Sequence, residues 1–208
     1  MNKINKPLVI VANGKFPENS IPLKILNNAK YIIACDGAAD KLIKNGYNPN
    51  IIIGDLDSIS SLNKEKHKDI ILKVLNQSEN DMRKAINYAQ ENNINKLSII
   101  GASGEREDHL IGNIFSLFKY PRICIKIFTD NGLFRLINNS KELKSFQGQK
   151  VSIFTTDNTI KIKTNGLKYN FNNNTISNLF YGTLNESNKD IITFNLSHGS
   201  LLIYQSYK

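Results

Sequence analysis

Four short apolar runs, each broken by a glycine or an aspartate, constrain this chain more than any other feature. Leu8–Ala12 ends at Asn13-Gly14, Tyr31–Cys35 at Asp36-Gly37, Ile51–Ile53 at Gly54-Asp55, and Leu97–Ile100 at Gly101-Ala102. None has polar alternation, so each reads as a strand covered on both faces, as in a parallel sheet. Between them the pattern turns helical. Pro22–Ala29, Ala38–Lys44, Asp81–Glu91 and Glu107–Phe118 are the expected helices. In the third, Met82, Ala85, Ile86 and Ala89 recur at helical spacing and Asn92-Asn93 ends the pattern. Strands alternating with helices predict a three-layer α/β/α domain with a mostly parallel sheet, over residues 1–135.

The second half changes character. Ile123–Thr129, Leu133–Ile137, Val151–Thr155, Ile191–Leu196 and Ser200–Tyr204 are short strand candidates, separated by turns such as Asn131-Gly132 and Ser197-His198-Gly199. No helix is expected after about residue 140. This half, residues 136–208, reads as an antiparallel β-sandwich. The strand at Ile123 suits either domain.

Composition narrows the function. The chain has 208 residues, 40% hydrophobic and 22% charged, which suits a folded globular protein. No apolar run approaches the ~18 residues of a membrane span, and Leu8–Ala12 is too short for a signal-peptide core, so a cytoplasmic location is expected. The net charge of +9 attracts anions. The lysines are scattered, however. Lys64, Lys66 and Lys68 alternate with Glu65 and His67, and no arginine-rich arm or basic-aromatic face appears. A nucleic-acid partner is not expected. Cys35 and Cys124 are far apart and read as two buried reduced thiols. With three histidines, none near another or near a cysteine, a zinc site is not expected either.

The candidate site residues follow strand ends, where open α/β sheets bind ligands. Gly54-Asp55-Leu56-Asp57-Ser58 is the sharpest local feature. If the backbone stays extended, Asp55 and Asp57 point the same way and repel, which calls for a cation. Mg²⁺ suits oxygen ligands of this kind. The other reading is an acidic turn in which the aspartates bind their own backbone. Asp36 before Gly37 is either a further carboxylate at this edge or the N-cap of the next helix. Asp81 likewise caps its helix or points at the same metal.

Gly101-Ala102-Ser103-Gly104-Glu105-Arg106-Glu107-Asp108-His109 joins a strand to a helix. Its small residues expose backbone amides to phosphate oxygens, and Arg106 offers a planar fork of donors. His109 and Asn113 share a helix face. The spacing is neither a Walker loop nor a dinucleotide fingerprint. Arg106 paired with Glu105 or Glu107, and His109 bonded to Asp108 or Asn113, are the structural alternatives.

In order and spacing, these segments resemble the thiamin pyrophosphokinase family. The similarity continues through Val151-Ser152-Ile153, Asn165–Tyr169, Gly182-Thr183-Leu184-Asn185-Glu186 and Gly199, covering about residues 8 to 205. The resemblance implies transfer of the pyrophosphoryl group of ATP to the hydroxyl of thiamine, with release of AMP. It implies Mg²⁺ as cofactor and a homodimer with active sites at the subunit interface. The second domain would then bind thiamine and dimerise. Carried over residue by residue, Asp55, Asp57 and Asp81 belong to the metal region, and Asp57, Asp81 and Arg106 to catalysis. Asp36, Gly37, Gly104, Arg106, Asp108, His109, Asn113 and Asn185 belong to substrate binding. Some positions depart from the family. Ala38 replaces a second glycine. Gln77-Ser78-Glu79-Asn80-Asp81 replaces Lys-Asp-x-Thr-Asp. Gly104-Glu105-Arg106 replaces the commoner Gly-Gly-Arg, and Leu184 stands where serine is usual. A metal-dependent nucleotide hydrolase is the rival reading. It would release phosphate without thiamine.

Overall fold

The strands Leu8–Val11 (β1), Tyr31–Cys35 (β2), Ile51–Gly54 (β3), Ile71–Lys73 (β4), Lys96–Ile100 (β5) and Cys124–Phe128 (β6) pair in parallel in the order β6-β5-β1-β2-β3-β4. The structure is a computed structural model describing residues 4–208; Met1, Asn2 and Lys3 of the basic start lie outside the described residues. Every residue of β1 and β2 is buried, as expected for strands without polar alternation. Ile10, Ile33, Ile52 and Ile53 have no exposed surface. Each such side chain contributes about 1.5–3 kcal/mol relative to its exposed state.

The helices are Ser20–Asn27 (α1), Ala38–Lys44 (α2), Ser61–Lys66 (α3), Asp81–Glu91 (α4) and Glu107–Phe115 (α5). α2 and α4 keep the bounds expected from their periodicity. Helix α4 buries Met82, Ala85, Ile86 and Ala89 on β1, β2 and β3. Gly46, at φ +81°, follows α2 in the left-handed conformation that commonly ends helices. α1 starts earlier than Pro22 because Asn19 caps it, accepting the N–H of Ile21 at 2.8 Å. α5 ends at Phe115, and Ser116–Lys119 tightens into a 3₁₀ turn.

The chain divides into two compact units. One runs to Ser116 and includes Arg122–Asp130; the other is Leu117–Pro121 with Asn131–Lys208. A division after residue 135 would cut through Gly132–Ile137 (β7), a continuous strand paired along its whole length with Leu201–Ser206 (β14). The strand expected over Ile123–Thr129 contains β6, which pairs with β5 in the first unit.

Within the second unit one antiparallel sheet follows the order Asn185–Glu186 (β12), Lys150–Phe154 (β9), β14, β7. The other follows Asn172–Asn174 (β11), Ile162–Asn165 (β10), Ile191–Leu196 (β13), Lys141–Lys144 (β8). Val151, Ile153, Leu201 and Ile203 from the first sheet share one core with Leu143, Ile162, Ile192 and Phe194 from the second. The two sheets thus form a sandwich.

The thiols split. Cys35 is buried at the end of β2, but Cys124 is exposed where β6 begins. The expectation of two buried thiols fails there, because an apolar run does not show which of its ends lies at the surface.

Candidate functional site

Chain order reverses between β1 and β5, and the carboxyl ends of the strands at such a reversal are where open α/β sheets form a ligand crevice. A cavity of about 270 Å³ occupies it. Ala12, Asn13 and Gly14 line one side, and Ala102, Ser103, Glu105 and Arg106 another. His109 and Asn113 of α5, Ser58, and Asp81 at the start of α4 complete much of the wall. Asp81 also lines an adjoining cavity of about 340 Å³ with Asp55, Asp57, Gln77 and Lys84. The strand-end residues expected to converge from distant sequence positions therefore meet on one sheet edge.

Asp36 organises the acidic loop. Its carboxylate accepts the backbone N–H groups of Asp57 at 3.1 Å, Ser58 at 3.2 Å and Ile59 at 2.9 Å. It does not cap α2, whose first turn has no side-chain cap. The loop is not extended either: Leu56 has φ +71°. Asp55 and Asp57 converge because the chain wraps around the Asp36 carboxylate. Donor oxygens of Asp36, Asp55 and Asp57 lie within 4.8 Å of one another. Burial pushes the Asp36 pKa up, with neighbouring Asp81 adding to the rise, although the amides of Ser58 and Ile59 pull it down. Asp55 is held below the usual carboxylate range, chiefly by the Gln77 amide that donates to it at 3.2 Å.

Gly54 makes this packing possible. A Cβ there would lie 2.8 Å from the Asp36 Cβ and 3.2 Å from the Asp81 Cγ. The same close packing brings Gly37 against Asn13 and Ser58. Asp81 is not the helix cap; Asn80 is, accepting the Arg83 N–H at 3.1 Å. Asp81 instead turns to Lys84, whose ammonium lies 2.8 Å away with its side chain only 3% exposed. The carboxylates grouped tightly enough to share a cation are thus Asp36, Asp55 and Asp57, with Asp81 beside them and ion-paired. Lys84 escaped the sequence reading, though its position three residues after Asp81 on a helix was the available signal.

The glycine-rich loop is bent at Gly101 and Gly104, with φ +67° and +90°. At Gly104 a side chain would also meet the Cβ of Lys15 at 2.6 Å. Arg106 is paired, with Asp108 rather than with Glu105 or Glu107. Its Nε and Nη2 donate to the two carboxylate oxygens at 3.1 and 2.6 Å, both side chains being exposed. The pairing holds Asp108 below its usual pKa and raises that of Arg106. His109 lines the cavity; Asp108 does not. The buried Asn113 amide donates to the Ala102 carbonyl at 3.2 Å and accepts from Asn80 at 2.8 Å. It is a strut joining the loop to the start of α4.

Asn185 belongs to the second unit and lines a separate cavity there, of about 610 Å³, with Tyr169, Phe171, Tyr181 and Leu184. Its buried amide accepts the N–H groups of Tyr169 at 3.1 Å and Glu186 at 2.9 Å and donates to the Tyr169 carbonyl at 2.8 Å. Leu184 stands at φ +60° and is 92% exposed.

Two family models match the chain: "Thiamin pyrophosphokinase, catalytic domain" over residues 23–147 and "Thiamin pyrophosphokinase, substrate-binding domain" over residues 132–204. The chain belongs to the thiamin pyrophosphokinase family. Thiamine pyrophosphokinase of Bacillus subtilis is 27% identical, over 97% of this chain and 99% of its own. Thiamine pyrophosphokinase 2 of Arabidopsis thaliana is also 27% identical, over 89% of this chain and 80% of its own. The fold agrees. The crystal structure of the Bacillus subtilis protein superimposes with TM-score 0.80 at 21% identity, covering 97% of this chain and 99% of that one. The yeast thiamin pyrophosphokinase structure also gives 0.80, at 18% identity over 99% and 88%. In this member of the family the departures fall at visible places. Glu105, Gln77, Glu79 and Asn80 line cavities of the first unit, and Leu184 lines that of the second. Among the described residues no helix is long and apolar enough to cross a membrane.

Proposed function

We propose that the chain transfers the pyrophosphoryl group of ATP to the hydroxyl of thiamine, giving thiamin pyrophosphate and AMP. The observation that carries this reading is the carboxylate cluster of Asp36, Asp55 and Asp57 beside a glycine-rich, arginine-bearing loop at the sheet's reversal point. All its donors are oxygens, which suits Mg²⁺. Asp55 and Asp57 would hold the ion, with Asp36 fixing the loop behind them and Asp81 alongside. Bound there, Mg²⁺ would neutralise phosphate charge as the phosphorus–oxygen bonds rearrange.

The thiamine hydroxyl oxygen attacks the β-phosphorus, the bond from that phosphorus to the α–β bridging oxygen breaks, and AMP leaves with that oxygen. Asp57 or Asp81 accepts the hydroxyl proton; the Lys84 contact fixes the direction in which Asp81 points. Arg106 exchanges Asp108 for phosphate oxygens, which a bidentate guanidinium can do because both groups are exposed. Gly37, Gly104, His109 and Asn113 shape the nucleotide cavity. Asp108 serves as the resting partner of Arg106. In the second unit the cavity around Tyr169 and Tyr181 takes the thiamine ring, and Asn185 holds Tyr169 in place. The working assembly is a homodimer with its active sites at the subunit interface, in the cytoplasm.

The test is product analysis with ATP, Mg²⁺ and thiamine. Thiamin pyrophosphate and AMP in equal amounts are expected. Phosphate or pyrophosphate release that ignores thiamine would instead identify a hydrolase.

A further inference from the structure

The helix α2 carries a lysine that touches both walls of the nucleotide cavity. The Lys41 ammonium donates to the Asn13 carbonyl at 3.0 Å, to the Gly14 carbonyl at 2.8 Å, and to a carboxylate oxygen of Glu105. A lysine has three N–H donors, and here each has its own acceptor. Asn13 and Gly14 begin the loop after β1, and Glu105 belongs to the loop after β5. The same two loops are stitched directly, Gly14 N–H to Gly101 carbonyl at 2.7 Å and Lys15 N–H to Ser103 carbonyl at 2.8 Å. Glu105 lines the cavity and immediately precedes Arg106.

A carboxylate on the wall of a cavity for a polyphosphate opposes its ligand. Lys41 removes that opposition by pairing with it. We infer that Lys41 is a positioning residue of the nucleotide site: it neutralises Glu105, draws it toward α2, and ties the two loops that form the cavity. This rests on the reading of that cavity as a nucleotide site. It also accounts for a glutamate where a glycine is commoner, since the compensating cation is supplied from another element.

The experiment compares wild type with K41M, K41R, E105Q and K41M/E105Q. Binding of the fluorescent nucleotide mant-ATP with Mg²⁺ is titrated, and hydrogen exchange of the loop amides at 101–106 is followed. K41M is expected to bind about tenfold more weakly, the loss of a charge-assisted contact. K41R should stay near wild type, and E105Q within about twofold of it. K41M/E105Q should recover most of the loss, a rescue that a purely structural lysine would not show. Loop exchange should quicken in K41M. Wild-type affinity in K41M, or a double variant no better than K41M, overturns the inference. Should wild type fail to bind mant-ATP, the nucleotide reading fails. Exchange then decides the loop tie alone, and unchanged exchange in K41M refutes it.

Discussion

The two units present cavities of opposite character. In the first, Asp36, Asp55, Asp57 and Asp81 crowd one sheet edge, answered by Lys84 and by backbone N–H groups. In the second, Tyr169, Phe171, Tyr181 and Leu184 share the wall with the uncharged Asn170, Asn174, Thr183 and Asn185, and no carboxylate lines the cavity. One surface is organised to manage charge, and the other offers aromatic rings among uncharged amides and a hydroxyl. Charges held that way need rigid loops, hence the clamp of Asp36 and the tight packing at Gly54. Aromatic contact needs only the rings held at a suitable height, and one buried asparagine does that for Tyr169. If each unit serves one substrate, substitutions in the two should separate kinetically.

The largest expected effect is on the charged side. D55N or D57N should lower turnover by about 100-fold or more, the scale of losing one preorganised electrostatic contact. Folding should be unaffected, since neither carboxylate packs in the core. Steady-state kinetics with circular dichroism as a control would check this, and near-normal turnover would remove the metal role. D36N is the sharper variant. It keeps the shape but puts an NH₂ where one of the two accepting oxygens stood, so at least one of the three backbone N–H groups loses its acceptor, and it should cost stability, about 1–3 kcal/mol, as well as turnover. Urea denaturation separates the two variants.

On the aromatic side Y181A should raise the KM for thiamine by about tenfold, the worth of one aromatic contact, and leave the KM for ATP unchanged. A rise in both constants would erase the proposed division of labour. L184S restores the residue usual in the family at an exposed position, so its effect should be smaller, within about threefold on the thiamine KM and nil on the ATP KM.

Much of this arrangement was legible before the structure. Helices α2 and α4 and strand β2 were set by uninterrupted apolar runs or clean helical spacing with strong terminators, and strand-end logic put the aspartates on one edge. The illegible parts share physical causes. Helix α3 buries no residue, so it has no apolar stripe to detect. Strands β8, β10, β11 and β12 are two to four residues long and largely polar. Asp36 looked like a cap or a ligand because its actual partners lie more than twenty residues away. Lys41 had no signal at all: its Glu105 partner is 64 positions distant. Local pattern reports the local backbone, whereas contacts that cross between loops depend on the completed fold.

The smallest expected effect concerns the far end of the acidic loop. Asp40, on α2, accepts the backbone N–H of Ser60 at 2.7 Å, the Ser60 hydroxyl at 2.8 Å and the Asn63 amide at 2.6 Å. Burial alone would raise its pKa, but these bonds from Asn63 and Ser60 together outweigh it and hold the carboxyl below its ordinary value. A depressed folded pKa means the folded state binds the proton less readily than the unfolded chain does. The stabilisation is therefore fully present above the unfolded value near 3.8 and is lost as pH falls through the lower folded one. D40N should flatten that acid limb in urea midpoints measured across the range, while changing stability at neutral pH only modestly. It should leave the thiamine KM untouched, since Asp40 belongs to the charged unit. An acid limb as steep in D40N as in wild type would show that Asp40 does not anchor α3, and that the Asp36 clamp alone fixes the loop.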